Sequence, residues 1–329
     1  AYGAVDLLVV GRFGTTEGLS AVSTGSQVLN LVTFVITQFS MGITVLIARY
    51  IGEKKQDRIG AVIGGTSIAF AAISVVLFIV MITLANPIAV VMQAPKEAVS
   101  LTTTYVRICG GGIFFIDAYN VLAAIFRGLG DSKSPLIFVA VACVVNIAGD
   151  LLFVAVFNMD AAGAAIATVM AQAVSVLLAI VLLLKRKQAF KITKKDFRIN
   201  EQCKRAFRIG LPLALQEFLT QVSFLALCAF VNRLGLEASS GYGVACKIVN
   251  FAMLVPSSLM QSMASFVSQN VGAGKEKRAR QAMFCGIGVG LVIGCVVFSL
   301  VLFKGDLLTG IFTTDEAVIQ KGYDYLRGF

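Results

Sequence analysis

Four acidic residues stand inside stretches that are otherwise apolar: Asp6, Asp117, Asp150 and Glu217. A carboxyl in the hydrocarbon layer of a membrane costs a few kcal/mol or more unless it is paired, protonated or turned to water, so each marks a candidate site. Asp150 follows Asn146 by four residues, which puts an amide and a carboxyl one turn apart on one helical face. Tyr2 and Asp6 have the same spacing, Asp117 and Asn120 are three apart, and Thr168 lies in the next apolar block. These groups, from the first, fourth, fifth and sixth helices when the partial one at residues 1–13 is counted as the first, could converge on one interior cavity. The chemistry they suit is cation exchange. A carboxyl withdrawn from water beside a second one can take up and release a proton under conditions where an exposed one stays ionised. An ionised pair with Asn and Thr oxygens would instead hold Na⁺, and the sequence leaves both open. Asp6, Asp150, Asn146 and Thr168 are therefore the expected cation-coupling set. Asp117, Glu217 (beside Gln216 and Gln221) and Lys247 form a second rank, with local pairing or snorkelling as competing readings.

The elements that must position them are membrane helices. Of 329 residues, 57% are hydrophobic and 14% charged, a balance unlike that of a soluble domain. The apolar residues come in long blocks rather than alternating segments, which excludes an outer-membrane barrel. The chain has no His and no Trp, so imidazole metal ligands, proton relays and Ser-His or Cys-His nucleophiles are all excluded. Neither an enzyme nor a resident cofactor is expected. The seven Cys are scattered without paired spacing and read as small core residues. A crossing needs about 20 apolar residues. Eight blocks qualify: Leu19–Ala48, Ile59–Leu84, Val99–Phe126, Ser134–Phe157, Ala161–Leu184, Phe207–Leu234, Ala238–Val271 and Ala282–Phe303. Residues 1–13 read as the end of a further helix and 318–329 as the beginning of another.

The formal net charge of +10 is distributed by side. Of the 28 Lys and Arg, 20 fall in the segments Arg49–Arg58, Arg127–Lys133, Lys185–Arg208 and Lys275–Arg280, against Arg12, Lys96, Arg233 and Lys304 in the alternate segments. By the positive-inside rule the basic set is cytoplasmic, together with the N-terminus, and every span alternates direction. A nucleic-acid partner is not needed to explain the charge.

The chain also repeats itself. Ile47-Ala-Arg-Tyr-Ile-Gly-Glu-Lys-Lys-Gln-Asp-Arg58 returns 220 residues later as Val267-Ser-Gln-Asn-Val-Gly-Ala-Gly-Lys-Glu-Lys-Arg278, and Asn30, Tyr105 and Arg107 map to Asn250, Tyr325 and Arg327. Two parallel six-helix lobes are expected, the second truncated: 1–184 as the first lobe, 185–206 as a basic connection and 207–329 as the start of the second. With one residue of slippage, as between Gly11-Arg-Phe-Gly14 and Asn232-Arg-Leu-Gly235, Asp6 maps to Leu227, so the repeated scaffold does not require the acid.

Phe126-Arg-Gly-Leu-Gly-Asp-Ser-Lys-Ser-Pro135, Asn146 with Asp150, Gly163-Ala-Ala-Ile-Ala-Thr-Val-Met-Ala-Gln172, Gly210-Leu-Pro212 and Ser268-Gln-Asn-Val-Gly-Ala-Gly-Lys275 closely resemble the multidrug and toxic compound extrusion (MATE) transporters, in particular their DinF-like branch. The resemblance covers essentially the whole chain. It implies twelve helices in two lobes of a bacterial plasma-membrane protein, and export of cationic amphiphiles by a monomer, driven by inward H⁺ or Na⁺. By position it places the first-helix acid on Asp6 with Tyr2 before it, and the fifth-helix pair on Asn146 and Asp150. The fourth-helix Asn falls on Asn120 and the sixth-helix Thr on Thr168. It makes Tyr2, Asn120, Asn146 and Asp150 part of the drug cavity. The seventh-helix acid of another branch would fall near Thr220, not on Glu217. A flippase for a lipid-linked saccharide or peptidoglycan precursor shares the architecture, but its pyrophosphate cargo calls for basic side chains within the spans. Here these are mainly Arg107 and Lys247.

Overall fold

A run of apolar residues in lipid can satisfy its backbone only by winding into a helix, and the computed structural model, which describes residues 2–186, 190–232, 236–310 and 316–328, does this throughout. In chain order the described α-helices are α1 (Tyr2–Phe13), α2 (Thr16–Gly52), α3 (Ile59–Thr83), α4 (Ala85–Val91), α5 (Val99–Gly111), α6 (Ile113–Gly128) and α7 (Lys133–Asp150). Then follow α8 (Asp160–Lys185), α9 (Glu201–Asn232), α10 (Leu236–Gly272), α11 (Glu276–Gly310) and α12 (Glu316–Gly328). Among the described residues seven segments are long and apolar enough to cross a bilayer, and α5 with α6 makes an eighth. These correspond to the eight blocks read from hydropathy, with one change. The block Val99–Phe126 is not straight: it bends by 50° where α5 meets α6. The run Gly110-Gly-Gly112 lies at the break, where the lack of side chains weakens the helix and lets it turn.

The chain divides into two compact units, residues 1–215 and 216–329. In the first, α2 is the central helix, packed against α1, α3, α5, α6 and α8. Val22, Ile43 and Ile47 of α2 are fully buried there, with Ile113 and Ile116 of α6 and Tyr105 of α5. α7 packs mainly on α8 and turns Leu136, Ile137 and Val144 outward. In lipid that exposure carries no hydrophobic penalty, so helix contacts rest on close packing and on polar bonds instead.

The start of α9 belongs to this first unit. The Phe39, Phe70 and Phe207 rings of α2, α3 and α9 stack with centroids 4.5 to 6.0 Å apart. Beside them the backbones of α2 and α9 approach so closely that a Cβ on Gly42 would strike the Ala206 carbonyl, and one on Gly210 the Phe39 carbonyl. Just before α9, Asn200 Nδ2 donates to the Ala61 carbonyl at 2.8 Å and its Oδ1 accepts from the Cys203 backbone N–H at 2.9 Å. Part of the basic connection is thus fastened to α3 rather than free.

The turn between α6 and α7 is held by Asp131. Its Oδ1 accepts from the backbone N–H groups of Lys133 and Ser134 at 3.1 and 3.0 Å, and its Oδ2 pairs with Arg186 and the Ser134 hydroxyl. Burial works against the charge, but the Ser134 bonds and the Arg186 guanidinium together hold the carboxyl below its usual range. Asp131→Ala should therefore lower stability by about 0.5–2 kcal/mol at neutral pH, the usual worth of such a cap. With the folded-state value lowered, this contribution is complete above the unfolded value of about 3.9 and is lost as pH falls through the folded one. Melting of both forms across pH checks it: Tm values should differ at neutral pH and converge in acid. A gap that stayed constant, or none at neutral pH, would contradict the assignment.

In the second unit α10, α11 and α12 pack on one another. Tyr242 and Tyr325 meet edge to face at 5.6 Å, and the Tyr323 hydroxyl donates to the Leu302 carbonyl at 2.9 Å. None of the most apolar stretch of α11 is buried by protein, and the helix bends at Lys304.

Candidate functional site

Five side chains from four helices of the first unit meet in one place. Asp6 comes from the middle of α1, Tyr105 from α5, Asn146 and Asp150 from the last turns of α7, and Thr168 from α8. The i, i+4 spacing on α7 does what it implies, presenting the Asn146 amide and the Asp150 carboxyl on one face. Asp150 is the last residue wound as an α-helix. Leu151–Val156 continue as a π-helix, a local rewinding that recurs at functional sites.

Asp6 is the hub. Its Oδ1 accepts from Asn146 Nδ2 at 3.1 Å, and its Oδ2 accepts from the Thr168 hydroxyl at 2.9 Å and the Tyr105 hydroxyl at 3.5 Å. Asp6, Asn146 and Asp150 are 0% exposed, Tyr105 1% and Thr168 2%. The cluster is closed, each of its side chains almost wholly buried. Gly25 of α2 makes room for it, because a Cβ there would strike the Tyr105 ring.

The hydrogen bonding of the cluster is unbalanced. All three donors point at Asp6. Meanwhile the Asp150 carboxyl lies against that of Asp6, and both its oxygens, together with Asn146 Oδ1, are buried without accepting a hydrogen bond. Buried acceptors are ordinarily satisfied, and two facing carboxylates in a medium of low dielectric repel strongly. One positive charge placed between them removes both difficulties: a proton shared by the carboxyls, or a small cation held by carboxyl and amide oxygens. Among the described residues no Lys or Arg supplies it.

The other candidates lie elsewhere. Asn120 of α6 accepts from the Thr37 hydroxyl at 2.7 Å and donates to the Ile116 carbonyl at 2.8 Å, so it joins α6 to α2 rather than entering the Asp6 cluster. Asp117 is buried on the same helix and contacts Ser74 of α3. Glu217, half-buried on α9, accepts from Gln221 one turn along at 2.8 Å. The side chains of Tyr2 and Lys247 lie outside the described residues. Sequence reasoning missed Tyr105 as a site residue. It was visible only as a repeat position matching Tyr325, a signal that marks it as retained but says nothing of Asp6.

The comparisons with known proteins agree with this architecture. The family model MatE matches residues 1–152 and 212–329. The probable multidrug resistance protein YoeA of Bacillus subtilis (strain 168) is 27% identical over 336 residues, which cover 98% of this chain and 71% of that protein. The multidrug export protein MepA of Staphylococcus aureus (strain NCTC 8325 / PS 47) is 24% identical over 329 residues, 99% of this chain and 72% of its own. Among solved structures, a MOP superfamily transporter from Pyrococcus furiosus superposes with a TM-score of 0.88 at 23% identity, covering 99% of this chain and 73% of that one. An outward-facing MATE family transporter does so at 0.87, with the same identity and coverage.

Proposed function

This chain belongs to the MatE family, and from that premise we propose that it is a secondary active exporter of cationic amphiphiles, driven by inward movement of H⁺ or Na⁺ across a bacterial plasma membrane. The multi-pass helical fold and the names of the relatives, multidrug resistance and multidrug export proteins, support efflux as the activity. The observation that carries the coupling is the set of three buried oxygens without donors, two on the Asp150 carboxyl that lies against Asp6 and one on Asn146. In this reading the basic segments and the N-terminus face the cytoplasm, and the protein works as a monomer.

The residues act as follows. A cation reaching the cluster neutralises the Asp6 and Asp150 pair, and Asn146, Thr168 and Tyr105 hold Asp6 in place to receive it. Ionised, the same pair attracts a cationic cargo. Exchange follows when the two occupants favour different conformations of the lobes, because a ligand with equal affinity for both states shifts nothing.

The test is flux of a fluorescent organic cation in vesicles holding the purified protein, with a pH gradient and a Na⁺ gradient imposed separately. Cation movement against its own gradient is expected with one of the two and not in protein-free vesicles. Equal flux with and without protein under both gradients would end the proposal.

A further inference from the structure

We propose that Asp117 is a second proton-binding site of the first unit, separate from the Asp6 cluster, where a neutral carboxylic acid ties α6 to α3. The argument is a count of hydrogens. Asp117 is 1% exposed and Ser74, facing it from α3, 2%. The Ser74 oxygen lies within hydrogen-bond reach of two acceptors, the Phe70 carbonyl one turn back at 2.9 Å and Asp117 Oδ2. A hydroxyl carries one hydrogen. With Asp117 ionised, that single hydrogen would have to be divided between the two acceptors, leaving both contacts weaker. A proton on Asp117 Oδ2 gives each contact its own hydrogen: the acid donates to Ser74, and Ser74 donates to Phe70.

The other oxygen supports the same state. Asp117 Oδ1 is buried and accepts no hydrogen bond. As the carbonyl of a neutral acid, such an unpaired group costs about 1–3 kcal/mol; as half of a carboxylate with no counter-charge, it would cost far more. No counter-charge is at hand among the described residues. α3 carries no titratable residue, and α2 carries Glu17, Arg49 and Tyr50 only near its ends. On α8 only Asp160 and Lys185 titrate, both terminal; α7 has Lys133, Cys143 and Asp150; α5 has Tyr105, Arg107 and Cys109; α6 itself adds Tyr119 and Arg127. Among the described residues, the side chain that contacts the Asp117 carboxyl is Ser74. Two carboxyl oxygens and one hydroxyl are too few to replace the hydration shell of a metal ion, so the ligand is H⁺.

The site has a place in the fold beyond its two residues. Phe70, whose carbonyl takes the Ser74 hydrogen, carries the ring that stacks on Phe39 and on Phe207 of α9. A proton on Asp117 therefore fixes the turn of α3 from which this contact is made.

Infrared spectroscopy of the reconstituted full chain tests this directly, in an Asp6→Asn, Asp150→Asn background that removes the acids of the other cluster. At neutral pH the spectrum should contain the carbonyl stretch of a protonated carboxylic acid that is lost in Asp117→Asn. With Asp117 intact, Ser74→Ala should shift that band, since the acid loses its acceptor. A spectrum unchanged by Asp117→Asn overturns the proposal. So does a band that Ser74→Ala leaves in place, which keeps the question decidable if Asp117→Asn fails to fold.

Discussion

Asp6→Asn is expected to abolish gradient-driven efflux, bringing vesicles that hold the variant down to the flux of vesicles without protein. The substitution keeps the size and shape of the side chain. Its oxygen can still accept from Thr168, so the helices should remain packed and expression should be retained. What is lost is the ability to change charge. An amide cannot take up a proton at the pH of a cell, nor offer a cation the charge that offsets the loss of its water. Asp150→Asn should have the same effect, since its carboxyl faces Asp6 and both its oxygens lack donors. Loss of at least tenfold in each, or about 1.4 kcal/mol of coupling, separates this from a mild structural disturbance. Binding of the cargo, measured apart from its transport, should survive in at least one of the two variants. Undiminished efflux with both in place would remove the cluster from the mechanism.

The second large effect concerns Gly42 and Gly210, where α2 and α9 touch backbone to backbone. The obstacle to a side chain at either position is a carbonyl of the opposite helix, not the flexible end of a side chain, so the helices themselves must part. Gly42→Val and Gly210→Val should each destabilise the contact by about 1–3 kcal/mol, the range for overfilling a packed interior. The adjoining Phe39 and Phe207 stack, 4.5 Å between centroids, would open with it. The readout is Tm of the purified protein, lower in each single variant. Because both mutations relieve the same contact, the double variant should lose less than the sum of the two. Tm values within error of the parent would show that no such close approach exists.

Much of the fold was legible from the residues alone, for a definite reason. Whether a segment crosses a bilayer depends on its own length and polarity, and so the eight blocks reappear among the described residues as seven long helices and one bent pair. The bend was not legible as such: the three glycines permit one, but its angle is set by what α5 and α6 each pack against. Within the site, Asp6, Asn146, Asp150 and Thr168 were selected by the cost of burying them and by one-turn spacing. Ser74 and Tyr105 gave no such signal, because a hydroxyl is common in membrane helices and becomes significant only through its partner.

The sequence by itself determined the class of protein, the apolar blocks that become its spans and the carboxyls that could do chemistry. These are properties of single residues and of neighbours along one helix. The tertiary structure decided which groups meet: Tyr105 joins Asp6, Asn120 turns instead to Thr37, and Asp117 is closed off against Ser74. The physical reason is that a helix fixes where a side chain lies around its own axis, while the rotation and depth of one helix against another come from packing. Hydrogen bonds across a few ångströms depend on that rotation, which no local pattern encodes.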